Sequence, residues 1–183
     1  MSIFPYIQVC SDLLQVKYGF DAKTAGFLFG IPYIISAIMS PLLGLFIDKV
    51  GKRAFMICLS SVILIVAYTI SMFLPPCDQC YNEVVPLALV GIGYSIYASA
   101  IWGSVPYVVA GHTLGTAFGL ATAIQNIGLV LAPTVVGLIK DNTQETNHGY
   151  FWTMAFFIGI NVIGLILNPV TLLHRYQSER RCS

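Results

Sequence analysis

An all-α integral membrane bundle is the fold class this chain predicts, and three observations predict it. Of its 183 residues, 57% are hydrophobic and only 9% charged, against about 25% charged in an average soluble domain. Mean hydropathy is +0.80. The charges are also missing from long stretches: residues 24–47, 54–77 and 150–173 carry none, and residues 84–139 are interrupted only by His112. A soluble core of this length needs a polar surface that such residues cannot supply. Net charge is +1, so nucleic acid has no support as a partner.

Taken in order, Met1 to Cys10 is apolar, carries Pro5 and runs into Ser11 and Asp12. It is too short to cross a bilayer alone. It also lacks a basic n-region and a small-residue cleavage site, so it does not read as a signal peptide. It reads as the second half of a helix, over 1–16, whose first half is missing. About 20 apolar residues cross the hydrocarbon at about 1.5 Å each. Three uncharged runs therefore hold one helix each, and the 84–139 run holds two, folded back at Gly111 to Gly115. The expected spans are 24–47, 54–75, 85–110, 114–139 and 150–173, followed by a tail over 174–183.

Pro32, Pro41, Pro106, Pro133 and Pro169 fall within or near the ends of spans. Each removes a backbone hydrogen bond and bends its helix, which suits moving helices around a cavity better than a static anchor. Gly26 with Gly30, and Gly115 with Gly119, are small residues four apart and are expected to let helices approach closely.

Sidedness follows from Lys and Arg. Lys49, Lys52 and Arg53 share one side with Arg175, Arg180 and Arg181, while Lys17, Lys23 and Lys140 lie opposite among Asp12, Asp21, Asp78, Glu83, Asp141 and Glu145. The first side is expected to be cytoplasmic. Segments 12–23, 75–84 and 141–149 then face a lumen or the exterior.

The loop after the first full span reads Gly44-Leu-Phe-Ile-Asp48-Lys49-Val-Gly51-Lys52-Arg53. This resembles G-x-x-x-D-[RK]-x-G-[RK]-[RK], the cytoplasmic loop signature of the major facilitator superfamily. An acid at a helix C-terminus is unfavourable to its own helix and gains by facing the N-terminus of a neighbour, here expected near Thr113 to Thr116. The glycines permit a sharp turn. Such a contact can form in one transport state and break in the other, so Gly44, Asp48, Lys49, Gly51, Lys52 and Arg53 are read as a gating loop. Ser40-Pro41, Tyr94-Ser95, Ala100-Ile-Trp102, Leu114 to Gly119 and Ile124 to Gly128 look like one branch of the superfamily. It is the group around major facilitator superfamily domain-containing protein 1.

The resemblance implies the C-terminal six-helix half of that fold, with helix 7 truncated and helices 8 to 12 complete. It implies alternating-access uniport of dipeptides from lysosomes. It also implies an N-terminal six-helix half absent from this chain and a glycosylated accessory membrane protein as partner. It places substrate near the bilayer midplane, lined by helices 7, 8, 10 and 11.

On those helices Tyr33 and Ser36 share a face with Ser40, and Tyr94, Tyr97 and Trp102 offer apolar faces with polar tips suited to a small peptide. Gln125 and Asn126 are amides deep in a span, where an unpaired amide costs several kcal/mol. They must meet a partner, water or substrate. Each has a competing reading. Aromatics near span ends serve as interface anchors, which fits Tyr107, Tyr150 and Trp152, and amides serve as interhelical hydrogen-bond pairs.

No carboxylate falls inside a full span in this reading, so transport is uncoupled or the coupling group lies in the missing half, with Asp12 the nearest candidate. His112 is either a pH sensor or a solvated turn residue. Cys77 and Cys80 are three apart and could form a disulfide or half a zinc site, but no second ligand pair accompanies them. No metal or cofactor is expected. The chain contains no N-x-[ST] sequon. It also lacks H-E-x-x-H, G-x-S-x-G and paired membrane aspartates, so an enzyme is not expected. The competing functional readings are a transport-inactive membrane scaffold with the same fold, and a carrier for a sugar or organic anion. An endomembrane such as the lysosome is the expected location, with the plasma membrane as the alternative.

Overall fold

The computed structural model describes residues 3–75, 77, 80–142 and 150–182, with side chains described as far as residue 168. Among the described residues six α-helices follow one another: α1 (Ile3–Tyr18), α2 (Ala22–Val50), α3 (Arg53–Phe73), α4 (Val84–Val108), α5 (Leu114–Asn142) and α6 (Tyr150–Cys182). Single 3₁₀ turns precede α4 (Tyr81–Glu83) and α5 (Gly111–Thr113). Among the described residues five helical segments are long and apolar enough to cross a membrane: Ala22–Val50, Arg53–Phe73, Tyr81–Val108, Gly111–Asn142 and Tyr150–Asn168. Consecutive helices run in opposite directions, so the α2–α3 and α4–α5 turns share one end of the bundle, here the basic end. The turn between α1 and α2 lies at the opposite, acidic end, with the last residues of α3 and α5 and the first of α6. Of the segment expected over 141–149, residues 141 and 142 end α5 and residues 143–149 lie outside the described residues.

Local chemistry sets the turns. Asp21 caps α2, its carboxylate accepting from the Lys23 N–H at 3.3 Å. At the other end Gly51 closes α2 with φ 68° and donates its N–H to the Ile47 carbonyl at 2.8 Å. Only glycine adopts that left-handed conformation without a steric cost.

The helix that organises the bundle is α4, packed between α2 and α3, with α6 on the far side of α3. In lipid no hydrophobic force draws helices together, so close backbone approach and polar contacts must do so. At Gly91 a Cβ would lie 2.9 Å from the Cα of Pro32, so only glycine fits this α2–α4 crossing. On the opposite face of α4, two residues on, Leu64 sits against Gly93, whose carbonyl accepts from the Ser60 hydroxyl at 2.8 Å. Ser99 donates to the Ser40 carbonyl at 3.1 Å, a second α4–α2 link. The expected packing glycines are not the operative ones: a Cβ at Gly26, Gly30, Gly115 or Gly119 would meet nothing within 4 Å. These four lie on outer surfaces of α2 and α5, whereas the glycines of α4 lie between two neighbours.

The main core gathers side chains from α1 to α6, with α5 giving only Val136. Tyr6, Tyr68 and Phe157 form an aromatic triangle with ring centroids 4.7 to 5.9 Å apart, joining α1, α3 and α6. Such rings add about 0.5–1.5 kcal/mol per pair beyond their buried area.

Glu83 departs from expectation. Read from sequence as an acid of an exposed connecting segment, it is 1% exposed and heads the span that contains α4. Its carboxylate accepts from Tyr18 at 2.9 Å, from Tyr6 at 3.3 Å and from Ser71. Lys17, also buried, donates to the Ser71 carbonyl at 3.2 Å. The statement that no carboxylate lies within a span is therefore corrected. Burial is tolerated because three hydroxyls solvate the carboxylate and a nearby ammonium balances its charge. The cluster pins α1 to α3 and to the start of α4.

Two predictions follow from this packing. Gly91→Val forces α4 from Pro32 and is expected to cost about 2 kcal/mol. Gly26→Ala, at an open position, should leave the thermal midpoint in detergent nearly unchanged. Glu83→Ala orphans the donors around it and is expected to cost about 3 kcal/mol, against about 1 kcal/mol for Tyr18→Phe. Equal thermal midpoints for the Glu83 and Tyr18 variants would contradict the cluster's role.

Candidate functional site

α1 is buried along most of its length. Its residues that are not buried are Phe4, Gln8, Ser11, Asp12, Gln15 and Val16, spaced as one helical stripe. Because Tyr6, Lys17 and Tyr18 hold the opposite face, the direction of this stripe is set.

α2 and α5 are covered far less. Only Val136 of α5 is buried, and α2 shows Phe27, Ile34, Ile38 and Leu42 on its surface. At mid-length these two helices carry the sequence-derived candidates. Tyr33 is 40% exposed, with its ring centroid 5.6 Å from that of Phe29. Gln125 is half-buried and Asn126 exposed, and neither amide has a hydrogen-bond partner among the described residues. Ser36 is buried instead, its hydroxyl 3.2 Å from that of Ser40 at the α2–α4 contact. Tyr94 and Tyr97 are half-buried against the main core, Tyr94 meeting Phe4 edge-on at 5.3 Å.

Trp102 lies at another level. Its ring stacks on Phe118 with centroids 5.8 Å apart and planes 21° apart, which ties α4 to α5 toward the basic end. Phe118 precedes Gln125 by seven residues, or about 10 Å along the helix. Trp102 and the two amides thus occupy different depths.

The Gly44–Arg53 loop joins three helices. The Arg53 guanidinium donates to Asp48 at 2.6 Å and to the Gly103 carbonyl, and its carbon lies 4.2 Å from the Tyr107 ring centroid. The partner of Asp48 is therefore Arg53 of α3, not the N-terminus of α5 that sequence reasoning expected. The left-handed turn at Gly51 brings residue 53 back over residue 48, and a planar guanidinium can serve a carboxylate, a carbonyl and an aromatic face together. Lys49 and Lys52 are exposed. Tyr107, read from sequence as a membrane-interface anchor, is the ring under Arg53.

At the acidic end Asp12, Lys140 and Tyr150 converge from α1, α5 and α6. Tyr150 donates to Asp12 at 2.8 Å, and Lys140 donates to Asp12 and, at 3.2 Å, to the Tyr150 hydroxyl. Tyr150 is 1% exposed, so it is a bonded core residue, whereas Trp152 is 51% exposed. Sequence reasoning singled out Asp12 but not its partners. The spacing of Gln8, Ser11, Asp12 and Gln15 on one helix face was available to it, while nothing local marks Lys140. Cys77 and Cys80 are joined by a disulfide with Cα atoms 5.8 Å apart. Among the described residues no group of three or more His, Cys, Asp or Glu could hold a metal ion.

The profile of the Major Facilitator Superfamily matches residues 2–181. The lysosomal dipeptide transporter MFSD1 of Homo sapiens is 33% identical over 174 residues, covering 95% of this chain and 35% of the human protein. The Danio rerio protein of the same name is 32% identical over 179 residues, covering 98% of this chain and 37% of its own length. A putative tartrate transporter of Agrobacterium vitis is 21% identical over 152 residues, covering 83% of this chain and 34% of its own. The chain thus spans about a third of the length of these relatives (35% of the human one). With a family match along nearly its entire length and five helical segments able to cross a bilayer, the chain belongs to the major facilitator superfamily.

Proposed function

We propose that this chain is the C-terminal half of a carrier that moves a small organic solute, a dipeptide in the first instance, by alternating access. The observation that carries the proposal is the uncovered mid-length surface of α2 and α5. There Tyr33, Gln125 and Asn126 stand on predominantly apolar spans, and among the described residues the two amides have no hydrogen-bond partner. An amide in hydrocarbon needs a partner, and a second six-helix half enclosing a polar cavity supplies one. Similarity to lysosomal dipeptide transporters supports the substrate class and a lysosomal membrane as the site of action. The branch resemblance of the sequence motifs further implies uniport and a glycosylated accessory membrane protein as partner. Trp102, between that level and the basic end, serves as an aromatic wall on the exit path. The Asp48–Arg53–Gly103 link serves as a catch that holds the basic ends of α2, α3 and α4 together in one transport state.

A second reading, transport of an organic anion, is favoured by the likeness to putative tartrate transporters. Counterflow separates the two. Proteoliposomes carrying the longest native product that contains these residues are expected to exchange labelled dipeptide and not labelled tartrate. Exchange of tartrate alone would move the assignment to organic anions, and no exchange of any solute would favour a scaffold. Trp102→Ala is expected to raise KM for the solute about tenfold, as loss of one aromatic contact allows, with the thermal midpoint little changed. Unaltered kinetics would remove Trp102 from the path.

A further inference from the structure

We infer that the polar face of α1, together with Lys140 and Tyr150, is a first binding site for the charged ends of a zwitterionic solute, at the acidic end of the bundle and about 22 Å along α5 from the mid-length surface at Gln125. Asp12 takes the solute's ammonium and Lys140 its carboxylate. The inference rests on the carrier reading above and specifies what that carrier selects.

Orientation comes first. Tyr6 and Tyr18 are bonded to Glu83, and Lys17 to the Ser71 carbonyl, so α1 cannot rotate about its axis without breaking a buried cluster. Its open stripe therefore stays open, and four of the six residues on it are polar. The side chains of Asp12 and Lys140 are 51% and 26% exposed.

Unused bonding capacity comes second. Among the described residues, only Oδ2 of Asp12 accepts hydrogen bonds, from Lys140 and Tyr150, which leaves Oδ1 free. A lysine ammonium has three N–H donors, and two are used here. The Gln8 amide, one turn along the same stripe, has no partner among the described residues. A simple tie between helices needs none of this. Elsewhere in the bundle a hydroxyl on a carbonyl suffices, as at Ser60 and Ser99. Opposite charges on an apolar bundle carry a desolvation cost, and among the described residues each keeps a valence that the other does not use.

The ligand's chemistry follows from that pairing. A free amino group donates to the open carboxylate oxygen, and a free carboxylate accepts the third ammonium N–H. A molecule with only one of these ends meets only half the site. A neutral sugar meets neither charge, and a dicarboxylate is repelled by Asp12.

The test uses the native full-length product in proteoliposomes, loaded with alanyl-alanine. Labelled alanyl-alanine is competed by its unlabelled form, by N-acetyl-alanyl-alanine and by alanyl-alanine amide. Wild-type protein is expected to prefer the free dipeptide at least about tenfold over either blocked form, as loss of one charge-assisted hydrogen bond allows. Asp12→Asn should abolish discrimination against the N-acetyl form only, and Lys140→Gln discrimination against the amide only. Dipeptide exchange with selectivity unchanged in both variants would overturn the inference and leave the carrier reading standing. Exchange of tartrate or glucose without any zwitterion would also overturn it while transport stands, and no exchange of any solute would overturn both. Because either single variant can fail to fold, the exchanged pair Asp12→Lys with Lys140→Asp retains an ion pair. It is expected to keep the wild-type thermal midpoint and lose at least about tenfold in dipeptide uptake. Wild-type uptake by the exchanged pair would reduce Asp12 and Lys140 to a helix tie.

Discussion

The bundle depends on how closely α4 can approach its neighbours. Gly91 leaves room for the backbone of α2 at Pro32, and Gly93 accommodates Leu64 of α3. Lipid tails compete with apolar side chains on nearly equal terms, so these helices gain little from hydrophobicity and must gain from fit. Once α2 and α3 are seated on α4, α6 packs on α3. The triangle of Tyr6, Tyr68 and Phe157 then joins α1 to the same core. α5 remains at the margin with one buried residue.

Charges complete what glycine begins. In a chain with 9% charged residues, the three described clusters each join separate helices: Arg53 with Asp48, Lys17 beside Glu83, and Lys140 with Asp12. The first lies at the basic end and links α2, α3 and α4. The second is buried and orients α1. The third holds α5 to α1 and α6 at the acidic end. The contact of Trp102 with Phe118 attaches α5 at its other end. A helix held at its ends and bare along its middle suits a wall that meets a partner surface.

Much of the fold was legible because membrane crossing is a one-dimensional constraint. Uncharged runs of sufficient length must be helices in a bilayer, and the five spanning segments occupy those runs. Packing was less legible. The paired glycines at 26 and 30, and at 115 and 119, have the spacing of a helix contact yet face open space, whereas Gly91 and Gly93 lack that spacing and make the contacts. Spacing reports which residues share a face and not which face meets another helix. The candidate site divides the same way. Tyr33, Gln125 and Asn126 lie on uncovered faces, Ser36 is bonded within a helix contact, and Trp102 stands at another depth.

By itself, the sequence determined that this protein crosses a membrane as a bundle of helices. It also determined, through the Gly44–Arg53 loop, which superfamily the chain resembles. Each of these rests on residues adjacent in the chain. Tertiary structure alone decided that Glu83 is a buried anchor, that Arg53 is the partner of Asp48, and that Lys140 reaches Asp12. The last two groups are separated by 128 positions. A side chain's surroundings in lipid depend on which helices stand beside it, and that is set by backbone fit around α4.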